Sequence, residues 1–77
     1  MRVLTVRQPW AWAIIHGGKT VENRVRNIAG AYRGPVAIQA AIKADESREA
    51  RAVWEKFHDA GAQLVIGAII GVVDLVD

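Results

Sequence analysis

The chain has 77 residues, no cysteine, 52% hydrophobic and 23% charged side chains, and a formal net charge of +2. This length allows a single small domain. The lack of cysteine excludes disulfide staples and thiolate metal sites, and two histidines are too few for a histidine-built zinc cage.

The charge is uneven along the chain. Residues 1–43 carry seven basic side chains and one acid, Glu22, while residues 44–77 carry three basic and seven acidic ones. A basic half in a small domain points to a polyanionic partner, most simply nucleic acid, against the alternative of a basic surface with no partner. The N-terminus, Met1-Arg2-Val3-Leu4, has no signal-peptide core. The longest apolar run, residues 64–73, falls well short of the roughly 20 residues that span a bilayer. The expectation is a cytoplasmic protein with no membrane partner.

In chain order, residues 3–6 are a short β-branched run that predicts a first strand. Pro9 suits the first turn of a helix, which the sequence predicts over residues 10–16 and stops at Gly17-Gly18. Because Trp10, Trp12, Ile14 and Ile15 surround this helix, it should be covered on more than one side. Residues 19–25 read as a second strand with Glu22 and Arg24 on one face, leading to Arg26 and a glycine-bearing loop. Pro35 opens a third strand, residues 35–41.

Asp45 is expected to cap a second helix, whose apolar stripe is Ala50, Val53, Trp54 and Phe57 and whose end is Gly61. Residues 64–76 predict a long last strand, bent at Gly67 and Gly71. The expected order is β-α-β-β-α-β.

Several familiar chemistries fail on spacing. Gly18-Lys19-Thr20 imitates the end of a phosphate-binding loop, but Ala13 stands where the first glycine is required, and helix and strand come in reversed order. The only serine, Ser47, opens the polar helix, so no Ser-His-Asp set can be built. His16 and His58 each lack a partner that would make them a base, which favours structural or solvent roles.

What remains is Lys19, Glu22 and Arg24, next to Arg7-Gln8-Pro9-Trp10. A lysine beside a carboxylate can bind phosphate or a base edge, can act as nucleophile or base when desolvated, or can simply close an internal ion pair with Glu22. Asp74, on one strand parity with Ile70, Val72 and Val76, reads either as a buried carboxylate partner for Lys19 or, the favoured reading, as an acid at the barrel edge.

Residues 17–24, Gly17-Gly18-Lys19-Thr20-Val21-Glu22-Asn23-Arg24, match G-x-K-x-x-E-x-R without departure. Leu4-Thr5-Val6-Arg7-Gln8-Pro9-Trp10-Ala11 stands upstream, and Tyr32-Arg33-Gly34-Pro35 and Gly67-Ala68-Ile69-Ile70-Gly71-Val72-Val73 follow. Together these segments resemble the activating signal cointegrator homology (ASCH) domain of the PUA-like superfamily, over essentially the whole chain.

The resemblance implies an α+β fold: a small PUA-like β-barrel with two short helices and a cleft beside the first. It implies binding of RNA or a modified nucleotide, with no cofactor or metal. Lys19, Glu22 and Arg24 take the motif's site roles, Gln8, Pro9 and Trp10 the wall of the cleft, and Tyr32 and Arg33 its rim. Arg7 and Arg26 join Lys19, Arg24 and Arg33 as phosphate contacts, and Trp10 or Tyr32 offers a stacking face.

The alternative that the family implies is a hydrolase, an N4-acetylcytidine amidohydrolase or a ribonuclease, with Lys19 and Glu22 as catalytic residues. The acetylcytidine hydrolases resemble a variant with threonine where this chain has Glu22, and the carboxylate would hold the lysine in an ion pair. ASCH domains also usually continue beyond the Gly-x-x-x-Gly strand. The expectation is therefore a barrel short of its closing strands, or one completed by a homodimer through its open edge.

Overall fold

Arg2-Val3-Leu4-Thr5-Val6 alternates in the period-2 manner of a strand, and it forms β1 (Arg2–Val6) in the computed structural model, which describes residues 1–16 and 30–75. Pro9 leads into α1 (Trp10–His16), with the bounds expected from Pro9 and Gly17. Then come β2 (Gly34–Ala40), a 3-10 turn (Arg48–Ala50), α2 (Arg51–Asp59) and β3 (Ile69–Leu75). The strand expected over residues 19–25 lies outside the described residues.

The described strands make one open sheet in the order β1-β2-β3. β1 runs parallel to β2, pairing Leu4 with Ile38 and Val6 with Ala40. β2 runs antiparallel to β3, pairing Val36 with Val73 and Gly34 with Leu75. The described residues make an α+β fold with two α-helices. Among the described residues the sheet does not close, so the expected barrel is not what these three strands form.

One face of the sheet carries the core. Val36, Ile38, Ala40 and Leu75 are buried against Ala11 and Ile14 of α1, with Leu4, Val6 and Val73 packed at the margin. Each large aliphatic side chain removed from water in this way contributes about 1.5–3 kcal/mol. In so small a core no single one is dispensable. The helix α1 is covered on two sides, by the sheet and by α2, as its ring of apolar residues requires. On the opposite face the row Val3, Ala37 and Val72 leaves both valines about half exposed.

The last strand begins later than its apolar run. Residues 64–66 stay outside the ladder, and Gly67 adopts a left-handed φ of 69°. From there the Gly67 N–H donates to the Ala40 carbonyl, and the Ala68 carbonyl accepts from Ala40 N–H, so β3 enters alongside the end of β2. The pairing slips between Ile38 and Gln39, whose partners are Gly71 and Ile69, a bulge that bends the strand. At Gly71 the strand meets α1 closely: a Cβ there would stand 2.6 Å from Ile15 Cδ1. The bends expected at Gly67 and Gly71 are thus one change of backbone direction and one close approach.

One expectation is corrected, and one alternative is decided. Asp45 does not cap the second helix. Its Oδ1 accepts the Ser47 N–H at 2.8 Å, closing a turn two residues long, and the chain passes through the 3-10 turn before α2 begins with Ala50 at its N-cap. Asp74 is exposed, not buried. Because β3 is apolar on both faces, parity alone does not identify the inner one. Gly71, Val73 and Leu75 take the inner face and turn Asp74 to solvent.

Candidate functional site

A cleft of about 590 Å³ opens beside α1. Trp12 and His16, one turn apart on the helix, form one wall, with ring centroids 5.6 Å apart. Gln63 and Val65, from the segment after α2, form the other, and Ile70 of β3 lies between. An aromatic plane, an imidazole and an amide facing aliphatic side chains make a slot suited to a flat, polar-edged ligand.

Gln8 joins these walls. It is 1% exposed, and both the oxygen and the nitrogen of its amide are hydrogen-bonded within the protein. Oε1 accepts the Trp12 backbone N–H at 2.9 Å, and Nε2 donates to the Val65 carbonyl at 3.0 Å. The Gln8 carbonyl, which an unbroken helix would offer to Trp12, instead accepts the Asp45 N–H at 2.7 Å. The side chain thus replaces its own backbone as the acceptor at the start of α1.

Asp45 joins the helices to each other. Its Oδ2 accepts the Trp10 indole N–H and its carbonyl accepts the Trp54 indole N–H, both at 2.8 Å. Hydrogen bonds from Ser47 and from Trp10, with the Arg7 charge nearby, lower its carboxyl from the usual 3.8 to about 2.

The residues expected to form the site fall into three places. Gln8 lines the cleft, and Pro9 is buried beneath the helix start. Trp10 is half-buried and directs its indole N–H to Asp45, so the indole that lines the cleft is Trp12. Arg7 is exposed beside Asp45. Tyr32 and Arg33 precede β2, away from the cleft lining. The Tyr32 hydroxyl donates to the Pro35 carbonyl at 2.8 Å, and the Arg2 guanidinium sits 4.8 Å above the Tyr32 ring. Arg33 Nη1 donates to the carbonyls of Gly30 and Tyr32. Lys19, Glu22, Arg24 and Arg26 lie outside the described residues. His16, the last residue of α1, is one position before the motif starts at Gly17.

Reading the residues singly missed Trp12 and Asp45. The available signal for Trp12 was its i,i+4 relation to His16, which puts both rings on one helical face just before the motif. Asp45 gave no such signal, since its partners are 35 residues before it and nine after.

A family model described as the ASCH domain matches residues 4–77. The chain belongs to the ASCH family. No curated protein and no solved structure matches it. In this ASCH domain no described helix is long and apolar enough to cross a membrane. Among the described residues no group of three or more His, Cys, Asp or Glu side chains gathers as a metal site.

Proposed function

We propose that this ASCH domain binds single-stranded RNA or a modified nucleotide, with the base in the cleft beside α1. The observation that carries the reading is the pairing of Trp12 and His16 in a cleft wall whose chain runs directly into G-x-K-x-x-E-x-R. A half-buried indole offers a base a stacking surface worth about 1–3 kcal/mol. Gln63, which lines the same cleft, would offer its amide to the base edge. In this reading Lys19, Arg24 and Arg26 of the basic half contact phosphate, Glu22 fixes their geometry, and Arg7 extends the positive surface past the helix start. Gln8 and Trp10 act from behind the wall, while Tyr32 and Arg33 extend the surface along the start of β2. The sheet is then one part of a PUA-like barrel.

The hydrolase reading would place its chemistry on Lys19 and Glu22, which lie outside the described residues; exposed Asp74 does not serve as a buried partner.

Titration with a short single-stranded RNA across a range of salt concentrations tests the binding reading. Binding that weakens steeply with salt, through release of counterions from the phosphates, is the expected result. No binding at low salt, or binding that ignores salt, overturns it.

A further inference from the structure

A second cavity, of about 450 Å³, lies along α2 and is lined by Glu46, Arg51, Trp54, His58 and Leu64. Arg51, Trp54 and His58 stand three and four residues apart, so they form one stripe on the helix. His58 lies nearly parallel to the Trp54 indole, 24° between planes with centroids 6.0 Å apart, an offset that covers only part of the indole face.

The two cavities are joined by an unbroken row of rings. Buried Phe57 meets Trp12 edge-on at 5.5 Å on one side and Trp54 edge-on at 5.2 Å on the other. The row is His16, Trp12, Phe57, Trp54, His58, with one indole at each cavity. Neighbouring residues line the two cavities, Leu64 the one at Trp54 and Val65 the one at Trp12.

We propose that the cavity at Trp54 holds a second base of the same single strand, so that the ligand the protein selects is a dinucleotide step and not a lone nucleotide. This rests on the reading of the Trp12 cleft as a base site. Phe57 sets the two indoles no farther apart than the sum of its two ring distances, a span that adjacent nucleotides of an unstacked strand can bridge. Leu64 adds an apolar side chain to the lining of the Trp54 slot. Arg51, exposed and with a guanidinium that makes no hydrogen bond or ion pair among the described residues, is the cation placed to meet the phosphate of the second nucleotide.

Binding of uridine monophosphate, of the dinucleotide UpU and of a tetranucleotide of uridine, read by quenching of indole fluorescence, tests the proposal. The expected result is an affinity for UpU at least about fivefold above that for the mononucleotide, the lower end of what stacking one base supplies. Arg51→Gln, a surface change, should reduce that gain and leave mononucleotide binding unaltered; Trp54→Ala should also reduce it, while Trp54→Phe, which keeps a ring, should retain most of it. Equal affinities for one and two nucleotides, or a gain that persists in Arg51→Gln and Trp54→Ala, overturn the second subsite and leave the first in place. If nothing binds at any length at low salt, the base-binding reading itself falls and this inference with it.

Discussion

Gln8 Nε2 reaches the carbonyl of Val65, 57 residues away in the chain, across a distance of 3.0 Å. This bond is the brace of the cleft, because Gln8 starts one wall and Val65 belongs to the other. The same amide supplies the acceptor for Trp12 N–H. One buried side chain therefore sets both the first turn of α1 and the position of the segment facing it.

Replacing Gln8 by Leu should accordingly destabilise the protein more than an apolar substitution at a buried site normally does. It leaves the Trp12 N–H and the Val65 carbonyl without partners, at about 1–3 kcal/mol for each one kept from water. Urea denaturation checks the loss, which should come to about 2–4 kcal/mol. Gln8→Glu keeps the acceptor for Trp12 but sets a carboxylate against the Val65 carbonyl, and it should be no better than Leu.

Stability should depend on pH through Asp45. Its carboxyl is lowered to about 2 in the folded protein by Ser47 and Trp10, against 3.8 when unperturbed. A lowered folded value means that the stabilisation is fully present above about pH 4. It is lost as the pH falls from there toward 2, where the folded carboxyl takes up its proton. Melting temperature measured between pH 2 and 7 should fall along this limb. In Asp45→Asn the limb should flatten, with the melting temperature already lower at neutral pH.

Gly71 should not tolerate a side chain while Ile15 remains. The added Cβ of Gly71→Ala meets Ile15 Cδ1 at 2.6 Å and Cγ1 at 3.1 Å, and the branched side chain has little room to turn. A loss of about 1–3 kcal/mol is expected from this overpacking. Ile15→Val removes Cδ1, the nearest atom, so the double variant should recover part of the loss. A double-mutant cycle on unfolding free energies measures this coupling.

If the cleft binds a base, two substitutions should separate stacking from charge. Trp12→Ala should weaken RNA binding by about 1–3 kcal/mol with the salt dependence unchanged. Lys19→Ala should weaken it for all sequences alike and lower the slope of affinity against salt by about one charge. Titrations at several ionic strengths distinguish the two. Loss of salt dependence in Trp12→Ala would show that the indole acts otherwise than by stacking.

Local rules account well for the elements whose boundaries are local. Pro9 and Gly17 bracket α1, and Ala50, Val53, Trp54 and Phe57 turn α2 inward, with Ala50 and Phe57 buried. The same rules mislead where the deciding contact is remote. Asp45 reads as a cap because caps are the usual use of an aspartate before a helix. Its oxygens are instead taken by Trp10 and Ser47, and no local pattern encodes an indole 35 residues upstream. Asp74 has apolar neighbours on both strand faces, so only the packing of Gly71 and Leu75 against the core decides which way it points. In the cleft, Gln8 was legible as a wall residue. Trp10 drew attention ahead of Trp12 because it follows the Gln-Pro pair, whereas helix rotation turns Trp12 toward the opening.

Asp45 also constrains the length of its own loop. Residues 41–47 connect β2 to the second helical segment and carry exposed Ile42 and Lys43, which marks them as a natural place for insertion. Yet one residue there holds an indole of α1 by its side chain and an indole of α2 by its backbone. Lengthening the chain between Lys43 and Ser47 would slide Asp45 off both at once and release the two helices from a common reference. This stretch of surface loop should therefore accept a change of composition far more readily than a change of length.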